Sequence, residues 1–321
     1  MTERTVTDER PARLSAAMSL TVAALPASWR HTCHRAGSPL GAPTARWENN
    51  ARFACAQPSR LTNWDWPGSP QEQLLQIDGS PRTWKHPGVE VKTVWDDDYL
   101  GVMFRVDDHY VRCECTQFQD QVSRDSCCEF FIAPVANSLA SSPYFNFEVS
   151  ANGTMLVYYC TDANRVLPPV QLPIEEWATI KMAASLVSTV GTPILPEIRT
   201  PTTWSIEYHI PWSLLTRYSG CGSPNAGTTW SCNFFKCGSA TSHPHWGTWA
   251  QVPLERPAFH TPEFFGAIDF SPETAAGMMD VGTLSYTILL CDDIDAMRKF
   301  YTELLPRFFP GALLLVSFTR H

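Results

Sequence analysis

A strict alternation of polar and apolar residues in short segments limits this chain's fold more than any other feature. Val89, Val91 and Thr93 alternate with Glu90 and Lys92; after Asp96-Asp97-Asp98, Leu100, Val102, Phe104 and Val106 alternate with Gly101, Met103 and Arg105. Successive side chains on a strand point to opposite faces, so this stretch reads as an antiparallel hairpin with one buried face. The segment from Glu148 to Tyr159 repeats the form, with Asn152-Gly153 as a hairpin-turn dipeptide. Helical spacing is scarce before residue 285, and Pro211 after Ile210 ends a strand. Many short strands separated by Pro- and Gly-containing loops predict an all-β fold, an antiparallel β-sandwich. Segments 57–72, 161–175 and 186–203 have no clear periodicity and read as long loops.

Four of the strand-like segments set a Glu or Asn opposite an apolar stripe: Cys128-Glu129-Phe130, Asn146-Phe147-Glu148-Val149, Trp204-Ser205-Ile206-Glu207-Tyr208 and Cys232-Asn233-Phe234. Asn146 and Glu148 therefore share one face, and Phe145, Phe147 and Val149 share the other. Alternation alone fits an ordinary solvated outer face as well as it fits a ligand-sized polar surface. Glu207 and Asn233 fit equally well a buried pair knitting two strands together.

Composition excludes several classes. A net charge of -8 without a Lys/Arg cluster argues against a nucleic-acid surface. No run of roughly eighteen apolar residues exists, so no membrane span is expected. At 44% hydrophobic and 17% charged, the 321 residues supply an ordinary core for one large or two smaller domains. Most of the 12 Trp residues read as core, although an aromatic face also packs well against the C–H groups of a pyranose ring.

The 11 cysteines include no CxxC pair and no matching His spacing, so no structural zinc site is expected. Adjacent Cys127 and Cys128 point to opposite faces of a strand and do not pair with each other. The cysteines read as small buried hydrophobes in a reducing cytosol. Export is the alternative: residues 14–27 form a mild apolar run behind Arg4, Arg10 and Arg13, with Asp8 and Glu9 diluting the positive charge. Residues 1–27 are expected to be a disordered N-terminal extension.

Read in order, the strings Trp95 to Leu100, Arg124 to Ile132, Tyr144 to Thr154, Trp204 to Trp212, Trp230 to Lys236 and Phe259 to Gly266 resemble the family 9 carbohydrate-binding modules and their family 9-like relatives. The resemblance runs from about Trp29 to Phe270, which sets a domain of residues 28–271. It implies a β-sandwich that binds a mono- or oligosaccharide at the reducing ends of glycans, in carbohydrate catabolism or uptake. Hydrolysis in such systems is done by a separate catalytic domain, so a glycan-degrading enzyme is the implied partner and no catalytic residue is assigned.

Transferred residue by residue, the binding pattern falls on Glu129 with Asp125 ahead of it, and on the polar pair Asn146 and Glu148. The late aromatic falls on Phe265, with Trp246 and Trp249 in the preceding loop; Glu207, Asn233 and His260 complete the candidate set. An aromatic expected six residues before Glu129 is replaced by Ser123, with Phe118 as the nearby loop aromatic that could stand in. Losing a stacking wall would remove on the order of 1 kcal/mol. His243, His245 and His260 lie near Trp246 and Trp249 and read as loop or core histidines rather than metal ligands.

A sugar hydroxyl both donates and accepts, so Glu and Asn suit vicinal diols while an aromatic wall packs on the ring. The alternative use of such carboxylates is O-glycosyl hydrolysis, which needs a pair about 5–5.5 Å apart for retention or roughly 6.5–9.5 Å for inversion. A third is a non-sugar small ligand, as related sandwiches bind. Asp96, Asp97 and Asp98 read as turn solvation, and the resemblance adds the idea of a structural calcium, which takes hard oxygens.

Residues 272–321 depart from the sandwich pattern. Leu284 to Leu290 read as a strand, Asp292-Asp293 as an N-cap, and Ile294, Met297, Phe300, Tyr301 and Leu304 have helical spacing. Tyr286 to Tyr301 resemble the opening strand and helix of the glyoxalase and ring-cleaving dioxygenase superfamily, with Tyr286 where a metal-ligating His often stands. The expectation is a linker plus an incomplete α/β fragment without metal chemistry, whose apolar residues dock on the sandwich or favour association.

Overall fold

The computed structural model describes residues 29–36, 39–47, 50, 53, 56–64, 86–161 and 168–274. Contacts divide the chain into compact units 1–278 and 279–321, and the described residues all belong to the first. The N-terminal extension and the C-terminal fragment read from the sequence lie outside the described residues.

The first hairpin forms as its alternation predicts. β3 (Gly88–Trp95) and β4 (Tyr99–Asp108) pair antiparallel with Val91 opposite Phe104 and Thr93 opposite Val102. Between them, Asp96 accepts the backbone N–H groups of Asp98 at 2.9 Å and Tyr99 at 2.6 Å, an Asx turn that reverses the chain. β6 (Cys127–Ala133), β7 (Tyr144–Ser150) and β8 (Met155–Cys160) follow as an antiparallel meander. The β7–β8 turn places Gly153 at φ +83°, a left-handed conformation that explains the Asn-Gly dipeptide.

β1 (Arg30–Arg35) joins two halves of one rolled sheet. One half runs β10 (Lys181–Ala184), β12 (Thr202–Pro211), β4, β3; the other runs β15 (Gly266–Thr274), β13 (Thr229–Cys237), β6, β7, β8 and β9 (Val170–Gln171). β1 pairs parallel with both β3 and β15, while the other described strand pairs are antiparallel. The halves pack face to face as a sandwich around an aromatic core. Phe234 of β13 meets Phe104 of β4 edge-on at 6.0 Å and stacks on Phe130 of β6 at 5.2 Å.

Several short elements interrupt the expected loops. β2 (Ser59–Arg60) pairs with β3, and β11 (Ile194–Ile198) pairs with β5 (Val111–Cys113) as a separate two-stranded ribbon. α1 (Ile174–Trp177) is a single turn, and α2 (Trp212–Ser219) starts directly after Pro211. Proline has no N–H and a preset φ, so it closes β12 and precedes the helix without losing a helical hydrogen bond. Gly220 ends α2 in the left-handed conformation at φ +70°.

The period of two sorts the second half cleanly. Phe130, Ile132, Phe145, Phe147, Val149, Cys232 and Phe234 enter the core. Glu129, Phe131, Asn146, Glu148, Phe235 and Cys237 therefore occupy the opposite face of β6, β7 and β13. That face is not washed by solvent, because every residue of β6 and β7 is buried.

Candidate binding site

Three hydrogen-bonding side chains lie together on this covered face. Glu129 is the cross-strand partner of Glu148 on β7 and of Phe235 on β13. Asn146, two residues before Glu148, donates from Nδ2 to Glu148 Oε1 at 2.8 Å, and its Oδ1 accepts the Tyr158 N–H at 2.9 Å. The Cys237 thiol donates to Glu129 Oε1 at 3.0 Å. Glu148 is 7% exposed and Glu129 2%, so Glu148 is the carboxylate that reaches solvent first.

Aromatic side chains bracket this floor. Tyr158 on β8, Trp246 at the start of β14 (Trp246–Thr248) and Phe259 in the following loop are each half-buried. All three pack both against the apolar cluster of Val122, Cys127, Leu156 and Cys237 and against the neighbouring cluster that includes Phe131 and Phe235. Glu129 stands between Cys127 and Phe131 on β6, so the three rings rim the carboxylate from neighbouring elements. Phe259 stacks on Phe235 with centroids 4.2 Å apart and planes at 16°. Beside them, His260 Nδ1 lies 2.7 Å from the Tyr144 hydroxyl, and buried Phe265 meets Tyr144 and Phe131 edge-on at 5.6 and 6.3 Å.

Electrostatics follow from this closure. Burial, reinforced by Cys237 and by the facing Glu148, pushes the Glu129 carboxyl well above the ordinary carboxylate range. Burial and the neighbouring Cys237 likewise push the Cys127 thiol up. The floor thus combines a carboxyl that favours its protonated, donating form with amide and carboxylate acceptors.

The other candidate residues are engaged in structural contacts. Asp125 accepts the N–H groups of Glu114 at 3.0 Å and Cys115 at 2.9 Å, tying that segment to the 3-10 turn Val122–Arg124. Asn233 donates to the Ala250 carbonyl at 3.0 Å and accepts the N–H groups of Ala250 and Phe234, both at 2.9 Å. Trp249 lies in the core between Trp29, Phe234 and His31. Glu207 belongs to the other half of the sheet, where it anchors Thr44, Ala45 and Asn50. The structure therefore gathers Glu129, Asn146, Glu148 and Trp246, with His260 and Phe265 adjoining, separates Asp125, Glu207 and Trp249 from them, and leaves Asn233 on the same face of β13 but engaged by Ala250.

Tyr158 and Phe259 were not among the sequence candidates. Tyr158 was reachable, because the β7–β8 register places it opposite Asn146 on the same face. Phe259 lies in a loop, where no periodicity marks a side chain's direction. Ser123 lies in the 3-10 turn with its carbonyl accepting the Ser239 N–H at 3.2 Å, and Phe118 stacks on Trp177 at 4.1 Å against the edge of the main core. Neither supplies a rim ring.

The acidic turn does not fit a calcium ion. Asp96 accepts three backbone N–H groups, including Leu40 at 2.6 Å, and Asp97 pairs with Arg35 at 2.5 Å. Calcium takes about six to eight oxygen ligands, whereas these carboxylates are engaged by protein donors.

The model of the family described as carbohydrate-binding family 9 matches residues 73–270, more than half of the chain. The chain belongs to carbohydrate-binding family 9. No curated protein matches it. A Bacteroides uniformis ATCC 8492 protein, described as a "putative carbohydrate-binding protein", shares 21% identity and a TM-score of 0.57, over 75% of this chain and 99% of its own. That likeness shows a shared fold. A family 9 module from Caldicellulosiruptor kristjanssonii, solved with cellotriose, is 12% identical with a TM-score of 0.47, over 78% of this chain and 98% of its own. The same organism's module solved with glucose gives 13% and 0.45, over 76% and 96%. The matched residues end at 270, and the glyoxalase-like resemblance finds no support in these comparisons. Among the described residues, no helix is long and apolar enough to cross a membrane.

Proposed function

We propose that this family 9 module binds a mono- or oligosaccharide over Glu148, Asn146 and Glu129, with Tyr158, Trp246 and Phe259 packing on the sugar rings. The observation that carries this reading is the bracketing of a three-residue polar floor by half-buried aromatic rings from separate elements. Glu148, the most open of the three, makes the first contact with a hydroxyl. Asn146 then fixes the carboxylate's orientation, and Glu129, whose burial favours the protonated form, complements Glu148 as a donor beside an acceptor.

The test is calorimetric titration of the full chain with a panel of mono- and disaccharides, beside Glu148→Ala and Trp246→Ala. Saturable heat in the parent that disappears in both variants is the expected result. No heat from a folded parent with any sugar would overturn the reading.

A second reading has one observation in its favour: Glu129 and Glu148 face each other across β6 and β7, with the Glu129 carboxyl held up in its range. Such a pair suits O-glycosyl hydrolysis. Its burial and its hydrogen bond from Cys237 favour binding over turnover. Release of product from aryl glycosides, lost in Glu148→Gln, would reverse that preference.

A binding module of this kind serves carbohydrate breakdown or uptake beside a glycan-degrading enzyme. Cys113, Cys115, Cys127, Cys128, Cys221, Cys232 and Cys237 are reduced thiols, which favours a reducing compartment such as the cytoplasm. The glyoxalase-like reading of Tyr286 to Tyr301 rests on sequence pattern alone, and no activity is attached to it.

A further inference from the structure

The covered face also holds a sulfur-containing donor set that shares Glu129 with the sugar floor and adds two cysteines that the sugar reading does not use. The sulfurs of Cys127 and Cys237 and a carboxylate oxygen of Glu129 all lie within 4.8 Å of one another. Cys127 and Cys237 are directly opposed across β6 and β13, and Glu129 is two residues along β6 on the same face. Each of the three is at most 2% exposed, so the cluster is built into the fold and is not a patch of surface acids. Among the described residues it is the one grouping of metal-ligating side chains this close.

We propose that Cys127, Glu129 and Cys237 bind a thiophilic divalent cation of the zinc class, with Glu148 or a water in the fourth position. Two thiolates with one carboxylate suit a borderline cation and are poor ligands for calcium or magnesium, which take oxygen almost exclusively. Tetrahedral coordination with metal–sulfur bonds of about 2.3 Å and metal–oxygen bonds near 2.1 Å sets donors roughly 3.5–3.8 Å apart, within small side-chain adjustments of this cluster. Three protein ligands with one remaining position is the arrangement of an open zinc site.

The local electrostatics set a proton cost on that binding. Burial, with the nearby Cys237, pushes both the Cys127 thiol and the Glu129 carboxyl towards their neutral forms. A divalent cation replaces those protons. On binding, each thiol releases one proton to solvent, and Glu129 releases its own when protonated. The site was invisible to a search for CxxC spacing because its two cysteines are far apart in sequence and meet only through the β6–β13 register.

The test uses the reduced full chain titrated with cobalt(II) and then with zinc(II), read by absorption and proton release. The expected result is one cobalt per chain, a thiolate-to-cobalt charge-transfer band with tetrahedral visible bands, and loss of both when zinc is added. Cys127→Ser and Cys237→Ser should each lose the charge-transfer intensity, and Glu129→Gln should loosen binding by about tenfold or more. Cys115→Ser, outside the cluster, should leave the band unchanged. Circular dichroism identifies any variant that has not folded, and Glu129→Gln, nearly isosteric, keeps the test decisive if a serine variant fails to fold.

No band from the reduced, folded parent would overturn the proposal, as would a band kept by both serine variants. Recovery of Cys127 and Cys237 only as a disulfide, with no cobalt uptake after reduction, would also overturn it. Sugar titration of chelator-treated protein tests the binding reading separately, so the two can fail independently.

Discussion

Removing the Glu207 side chain should destabilise this protein without touching its sugar site. One carboxylate oxygen, Oε2, accepts the Thr44 N–H, the Ala45 N–H and Asn50 Nδ2, each at 2.9 Å, while Oε1 faces His209 Nε2 at 2.9 Å. Glu207 and His209 are fully buried, and Ala45 and Asn50 are 3% and 7% exposed. In Glu207→Ala these buried donors lose their acceptor, and each such loss costs about 1–3 kcal/mol. With partial relaxation the total is roughly 3–5 kcal/mol, a large share of the ~5–15 kcal/mol that holds a domain together. At about 2–4 °C per kcal/mol for a domain of this size, the melting temperature should fall by roughly 10 °C.

Gln is no remedy at this position, because its amide would aim N–H groups at donors on one side or the other. The pH dependence supplies a signature. Burial alone would raise the Glu207 carboxyl, but the hydrogen bonds from His209, Thr44 and Ala45 outweigh it and hold the group below its ordinary value of 4.5. A depressed acid stabilises the fold above its unfolded range and loses that contribution as pH falls through the lower folded value. The melting gap between parent and variant should therefore be full at neutral pH and close below about 4.5. Thermal unfolding followed by circular dichroism across pH measures it, with sugar titration in parallel. An unshifted melting temperature together with lost sugar heat would refute the reasoning and make Glu207 a ligand contact.

Two further outcomes are expected. Glu129 behaves oppositely: its raised carboxyl gives stability that is complete below the ordinary carboxyl value of 4.5 and is lost as pH rises through the folded value, so Glu129→Gln should gain on the parent as pH rises from 4.5, read by the same melting series. Lys236, fully buried with Nζ 2.8 Å from both the Cys237 carbonyl and His245 Nε2 and 3.7 Å from Asp108, should cost about 3–5 kcal/mol when changed to Ala, measured by denaturant unfolding; a loss under about 1 kcal/mol would show that the cluster is not held as a charged unit.

The hairpins were legible because their determinants are local. Alternation through Val89 to Val106 and the Asp96 turn specify β3–β4, and Asn152-Gly153 specifies β7–β8. α2 was not legible: Pro211 marks the end of a strand, but nothing nearby separates an eight-residue helix from a loop, and Trp212, Leu214 and Leu215 are helical because they pack into the core. β11 was hidden by Pro196 inside its five residues, and β1 pairs parallel with strands far away in the chain. At the site, Asn146 and Glu148 were readable from a single strand, while Asp125 and Asn233 offer the same residue types and are saturated by distant backbone groups.

By itself the sequence determined which face each strand residue takes. Backbone geometry alternates side chains with a period of two whatever lies above them, and on that basis Glu129, Asn146 and Glu148 stand opposite the aromatic core. Only the tertiary structure decided what covers that opposite face. The segment carrying Trp246, Phe259 and Phe265 folds back over it, closing a surface that alternation alone leaves open to water. The same folding brings Cys237 to Cys127 and directs the amides of Thr44 and Ala45 at Glu207. These are contacts between segments remote in sequence, set by packing of the whole sandwich, and no local pattern encodes them.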